Sequence, residues 1–84
     1  MTQTHDDVTA LVDSLVCQIV DDAEAVEVIG SENEGGSLYV EISVAEGDIG
    51  KVIGRQGRVI KAIRTLSRAA ASQAGFHVEV ELAD

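Results

Sequence analysis

Four consecutive residues, Gly54-Arg55-Gln56-Gly57, carry the clearest chemical signal in this 84-residue chain. Two glycines three apart let the backbone turn sharply and approach a ligand closely, with no Cβ in the way. A helix starting directly after them, at about Arg58, would present free N–H groups and the positive end of its dipole. Lys51, Arg55, Arg58 and Lys61 surround the loop with mobile positive charge. Such a device grips an anion, and it suits a sugar–phosphate backbone better than any one small molecule.

The distribution of charge supports this reading. The chain holds 6 basic and 15 acidic side chains, a formal net charge of −9, which taken alone argues against nucleic acid. Yet Lys51, Arg55, Arg58, Lys61, Arg64 and Arg68 are all the basic residues there are, and no Asp or Glu falls between positions 51 and 68. A solvated helix face usually mixes both signs; this window does not. The acidic remainder would discourage indiscriminate sticking and confine attraction to one site. If Lys51, Arg55, Arg58 and Lys61 all meet phosphates of a single strand, about 0.7 ions are released per contact and the salt slope is roughly −2 to −3.

Other chemistries fail on inspection. A P-loop needs Gly-Lys followed by Ser or Thr, and Gly50-Lys51 is followed by Val52; the dinucleotide fingerprint needs glycine where Val52 stands. His5 and His77 are isolated and share no metal-ligand spacing with Cys17, the lone cysteine. The acidic residues are scattered, with no recognisable acid–base pair. No enzyme, metal site, cofactor or small-molecule substrate is expected. Tyr39 and Phe76 are the only aromatics, too few for the stacking platforms of RRM, OB and cold-shock readers.

The elements that must position this loop show in the periodicity. Val8, Leu11, Val12, Leu15, Val16, Ile19 and Val20 recur three and four apart, which predicts an amphipathic helix capped by Thr4, Asp6 or Asp7. By this periodicity Cys17 lies opposite the apolar stripe, partly exposed. A strand over Ala25–Ile29, a turn over Glu32–Ser37 and a strand over Leu38–Val44 form a hairpin with one buried face. A short helix around Glu46–Ile53 breaks at Gly54. A longer one runs from about Arg58 to Ala74, with Val59, Ile63, Leu66 and Ala70 inward, Lys61, Arg64 and Arg68 on the opposite side, and Gly75 closing it. A last strand alternates from Phe76 to Leu82, with Phe76, Val78, Val80 and Leu82 inward and His77 outward. The order is α-β-β-α-α-β.

Length and composition fit one small α+β domain over residues 1–84, with 1–7 read as a frayed N-terminus. No apolar run approaches the roughly 18 residues of a membrane span. The first seven residues lack the basic region of a signal peptide, and the lone cysteine fits a reducing compartment. A cytoplasmic protein is expected.

The stretch from Gly50 to Arg64, Gly-Lys-Val-Ile-Gly-Arg-Gln-Gly-Arg-Val-Ile-Lys-Ala-Ile-Arg, closely resembles the signature of KH domains. The element order corresponds to the type II arrangement, three helices on one face of a three-stranded sheet. Because the domain fills the chain, the nearest resemblance is to the small single-KH bacterial RNA-binding proteins of the KhpA group. The resemblance implies a GxxG loop, here Gly54, Arg55, Gln56 and Gly57, clamping single-stranded RNA against an apolar groove. It makes Ile49, Val52 and Ile53 groove candidates, some of which must instead face the core. It further implies a homodimer or a heterodimer with a KhpB-like RNA-binding protein, and a role in post-transcriptional regulation or as an RNA chaperone. The alternative reading is a protein–protein adaptor in which the fold serves as a dimerising scaffold, motivated by the large acidic surface.

Overall fold

The computed structural model describes residues 4–83. Helix α1 spans His5–Ile19. Its start is a capping box: the Thr4 hydroxyl accepts from the Asp7 N–H at 3.1 Å, and the Asp7 carboxylate accepts from the Thr4 N–H at 3.0 Å. Two otherwise orphaned donors are thereby satisfied. The helix thus begins inside the segment expected to fray, of which residues 1–3 lie outside the described residues. Val8, Val12 and Val16 form the fully buried line of α1, and Leu11, Leu15, Ile19 and Val20 flank it half-buried.

Strands β1 (Glu27–Glu32) and β2 (Leu38–Ser43) pair antiparallel, with Glu27 opposite Ser43 and Glu32 opposite Leu38. The turn between them closes through Asn33 N–H to Ser37 O at 2.7 Å. β1 sits later in the chain than expected. Gly30 and Ser31, beyond the expected end of the strand, and Glu32, expected in the turn, pair with Val40, Tyr39 and Leu38 and so belong to the ladder. Gly30 also lets α1 come close, since a Cβ there would meet the Thr9 hydroxyl oxygen at 2.5 Å.

Helix α2 is short, Ile49–Ile53, and α3 runs from Arg58 to Ala74. A Schellman motif ends α3: Gly75, at φ 88°, donates to Ser72 O at 3.1 Å and Phe76 donates to Ala71 O at 3.0 Å. Strand β3, Val78–Leu82, then pairs parallel with β2, giving the sheet order β1-β2-β3. The helices cover the face that carries Leu38, Val40, Ile42, Val78 and Val80, all buried. Phe76 precedes β3 rather than joining it; it lies half-buried with its ring edge-on to His5, centroids 4.4 Å apart.

The inward face of α3 differs from expectation by about one residue. Ile60, Ile63, Ser67 and Ala71 are buried, Val59 and Ala70 are half-buried, and Leu66 is 51% exposed. Ser67 occupies a fully buried position because its hydroxyl donates to Ile63 O at 2.7 Å, so no polar group is left unmatched. Truncation tests the difference. Ile63→Ala should destabilise by about 2–5 kcal/mol, as buried aliphatic truncations do. Leu66→Ala should stay within about 0.5–1 kcal/mol of the parent in urea denaturation. Comparable losses at both positions would contradict this placement of α3.

Candidate nucleic-acid interface

The loop between α2 and α3 is built from unusual backbone. Gly54 has φ 77° and ψ 173°, Gln56 has φ 58° and ψ 26°, and Gly57 has φ 76° and ψ 15°. Among the described residues Gln56 is the one non-glycine with positive φ, a conformation that concentrates at ligand-binding sites. Gly54 is required twice over. Its backbone lies where side chains are rarely tolerated, and a Cβ would come 2.8 Å from the Val59 amide nitrogen and strike the Val59 side chain. Three hydrogen bonds close the loop: Gly54 N–H to Gly50 O at 2.9 Å, Gly57 N–H to Gly54 O at 3.1 Å, and Arg58 N–H to Arg55 O. α3 starts immediately afterwards with no side-chain cap and no acidic residue in its first turn. Arg58 N–H is taken by Arg55 O, and the positive end of the helix dipole lies at the loop with no side chain to offset it.

Arg55, Gln56, Arg58 and Lys61 are all exposed. Arg58 donates from Nη2 to Gln56 Oε1 at 3.3 Å, so the two side chains form one polar ridge. Lys61 lies one turn further along α3 on the same side. No salt bridge within 4.0 Å engages Arg55, Arg58 or Lys61 among the described residues.

Lys51 differs from these three. Its ammonium lies 2.9 Å from the Asp21 carboxylate and 3.7 Å from that of Asp48. The hydrogen bond and charge of Asp21, followed by the charge of Asp48, hold its pKa above the ordinary lysine value. Its charge is therefore already matched within the protein. Sequence reasoning misses these partners; only Asp48, three residues before Lys51, is a local signal.

Arg64 also leaves the expected cluster. It lies half-buried, donating from Nε to Val80 O at 3.0 Å, with Nη2 3.6 Å from Glu81. It thus occupies the edge of β3, where an unpaired carbonyl would otherwise stand open. Arg68 stays exposed, two turns beyond Lys61.

The three apolar groove candidates separate cleanly. Val52 is fully buried and belongs to the core, Ile49 is half-buried, and Ile53 is 40% exposed beside the loop. Val52 is thus withdrawn from the groove: a helix of five residues needs an anchor, and Val52 supplies it. Cys17 is half-buried, with Sγ 3.5 Å from an Asp13 carboxylate oxygen. Desolvation and that carboxylate push its pKa up, which disfavours the nucleophilic thiolate.

A mixed three-stranded sheet backed by three helices, with Gly-x-x-Gly joining the second helix to the third, is a KH-type fold. Residues 9–82 match the family model described as KhpA/KhpB, KH domain, and the chain belongs to that family. An RNA-binding protein KhpA from Caldanaerobacter subterraneus is 47% identical over 73 residues, which cover 86% of this chain and 95% of that protein. One from Halalkalibacterium halodurans is 39% identical over 74 residues, 88% of this chain and 96% of that protein. Among solved structures, Era in complex with MgGDPNP and a segment of 16S ribosomal RNA superposes with a TM-score of 0.60 at 19% identity. The match covers 89% of this chain and 28% of Era, and it bears on the fold alone. Among the described residues no helix is long and apolar enough to cross a membrane.

Proposed function

We propose that this chain binds single-stranded RNA, with the Gly54–Gly57 loop gripping the sugar–phosphate backbone and no chemical conversion following. The observation that carries the reading is the loop itself. Its left-handed backbone opens onto the uncapped start of α3, flanked by the exposed cations Arg55, Arg58 and Lys61. The names of its relatives, RNA-binding protein KhpA, point the same way. Backbone donors and cations read phosphates and carry little sequence information. Ile53, exposed beside the loop, and half-buried Ile49 give splayed bases an aliphatic surface, in keeping with only two aromatics in the chain.

One such patch binds weakly, since phosphate-driven contacts typically give dissociation constants of about 10⁻⁴ to 10⁻⁶ M. A second linked site raises the effective affinity. We infer that a homodimer, or a complex with a KhpB-like RNA-binding protein, provides it. The description of the matching family model, which covers both KhpA and KhpB, supports that pairing. A role in post-transcriptional regulation or as an RNA chaperone follows from a clamp of low sequence selectivity.

Fluorescence anisotropy with a short labelled RNA tests the reading. With Lys51 engaged by Asp21 and Asp48, three cations remain for phosphates. At about 0.7 ions per contact the logarithm of affinity should fall against that of salt with a slope near −2. An unlabelled single strand should compete far better than a perfect duplex of equal length, whose bases are not available to the groove. A flat salt response, or equal competition by duplex, would contradict the clamp.

A further inference from the structure

Asp48 is the one buried charged side chain among the described residues, 3% exposed, and it stands outside the loop. Both carboxylate oxygens are engaged: Oδ1 accepts from the Asp21 N–H at 3.2 Å and Oδ2 from the Asp22 N–H at 3.0 Å. Lys51 Nζ lies 3.7 Å from Oδ1. A buried carboxylate is unfavourable unless its charge is matched, and here two backbone donors and an ammonium match it. The Asp22 and Asp21 N–H groups, then Lys51, hold the carboxyl below the ordinary carboxylate range against the opposing effect of burial.

The two sets of partners come from different parts of the chain. Asp21 and Asp22 lie between α1 and β1, while Asp48 immediately precedes α2. We propose that Asp48 is a positioning residue for the Gly54–Gly57 loop. Its carboxylate latches the start of α2 onto the backbone at 21–22, so that α2 holds the loop in a fixed orientation toward the RNA backbone. The inference rests on the clamp reading above and deepens it.

The mechanical reason is the shortness of α2. Five residues make a lever about 7.5 Å long, too short to be a stable helix alone. Val52, the fourth of its five residues, is its one fully buried side chain, and one full anchor leaves the helix free to pivot. Asp48 supplies a second anchor at the end away from the loop, which sets the direction of the lever. The loop inherits that direction through Gly54 N–H to Gly50 O and Gly57 N–H to Gly54 O. Lys51, bridging Asp48 and Asp21, strengthens the same joint, which accounts for a cation beside the loop being held by the protein's own carboxylates.

Asp48→Asn is the direct test. It keeps the size and one acceptor but removes the charge and sets an amide NH₂ against one of the two backbone donors. Amide NMR, thermal melting by circular dichroism and RNA anisotropy are measured on it beside Arg55→Asp/Gln56→Asp. In Asp48→Asn the amides of Asp21, Asp22, Gly54 and Gly57 should all move, and RNA should bind about 3- to 30-fold more weakly, the range of couplings carried by packed networks. The loop double variant should lose RNA affinity while the Asp21 and Asp22 amides stay in place. Parent-level RNA binding by a folded Asp48→Asn protein, with those two amides displaced, overturns the latch. Parent-level binding by the double variant overturns the clamp instead.

The parent protein provides a check that holds even if Asp48→Asn fails to fold. Couplings between sites are reciprocal, so saturating RNA should slow hydrogen exchange at Asp21 and Asp22 more than at Val40 and Ile42 in β2. Equal slowing at both places contradicts the latch.

Discussion

Gly54→Ala is expected to lower the melting temperature by at least about 4 °C and to weaken RNA binding at the same time. The glycine sits at φ 77° and ψ 173°, in a region that residues with a Cβ scarcely occupy, and strain of that kind amounts to about 1–3 kcal/mol. In a domain of this size 1 kcal/mol corresponds to a shift of about 4–8 °C. The added Cβ would also meet the Val59 amide nitrogen at 2.8 Å, so relief requires moving the first turn of α3. Those amides are the ones the proposed clamp would offer to phosphate, which couples the two expected losses. Gly57 is the contrasting position. Its φ of 76° and ψ of 15° are left-handed, and a Cβ there would meet nothing within 4 Å. Asparagine tolerates that conformation, so Gly57→Asn should melt close to the parent. Melting curves by circular dichroism for both variants check the pair, and a Gly54→Ala protein as stable as the parent would contradict the steric account.

Much of this structure is legible in the sequence because it depends on local properties. The stripe of α1 shows as valines and leucines three and four apart, and β2 shows as Leu38, Val40 and Ile42 alternating with more polar neighbours. The loop shows for the same reason: two glycines, a change of element and an island of positive charge all lie within a few residues. What stays hidden depends on partners distant in sequence. Glu32 reads as a turn residue and Gly30-Ser31 as the end of a strand, and only their pairing with β2 makes all three strand. Periodicity misplaces the phase of α3 because Ser67 is polar by type yet buried, its hydroxyl satisfied one turn earlier by Ile63 O.

The site is legible to a similar depth. Ile49, Val52 and Ile53 crowd a helix of five residues, and nothing local says which of them turns inward. Lys51 reads as free charge until Asp21, thirty positions earlier, is brought to 2.9 Å. Arg64 reads as part of the basic face until β3 offers it the Val80 carbonyl. Asp48 reads as one acid among fifteen; its burial and its two backbone donors exist only in the folded chain.

Arg55→Asp/Gln56→Asp should abolish most RNA affinity while leaving the fold intact. The pair swings the loop tip by three units of charge at the closest approach of the backbone. At about 4 Å each unit is worth about 1 kcal/mol even at the dielectric constant of water, so a loss of about 100-fold or more is expected. Both side chains are exposed, and exposed substitutions usually shift stability by about 0.5 kcal/mol or less. Position 56 requires φ near 58°, which aspartate accepts better than most residues. The substituted carboxylate would also keep an acceptor facing the Arg58 guanidinium.

Anisotropy of a short single-stranded RNA against the parent and this double variant, with melting curves on the same samples, is therefore the most direct test of the clamp. The account predicts two superimposable melting curves and a binding curve displaced by about 100-fold or more toward weaker affinity. A folded double variant that binds the RNA like the parent would contradict it.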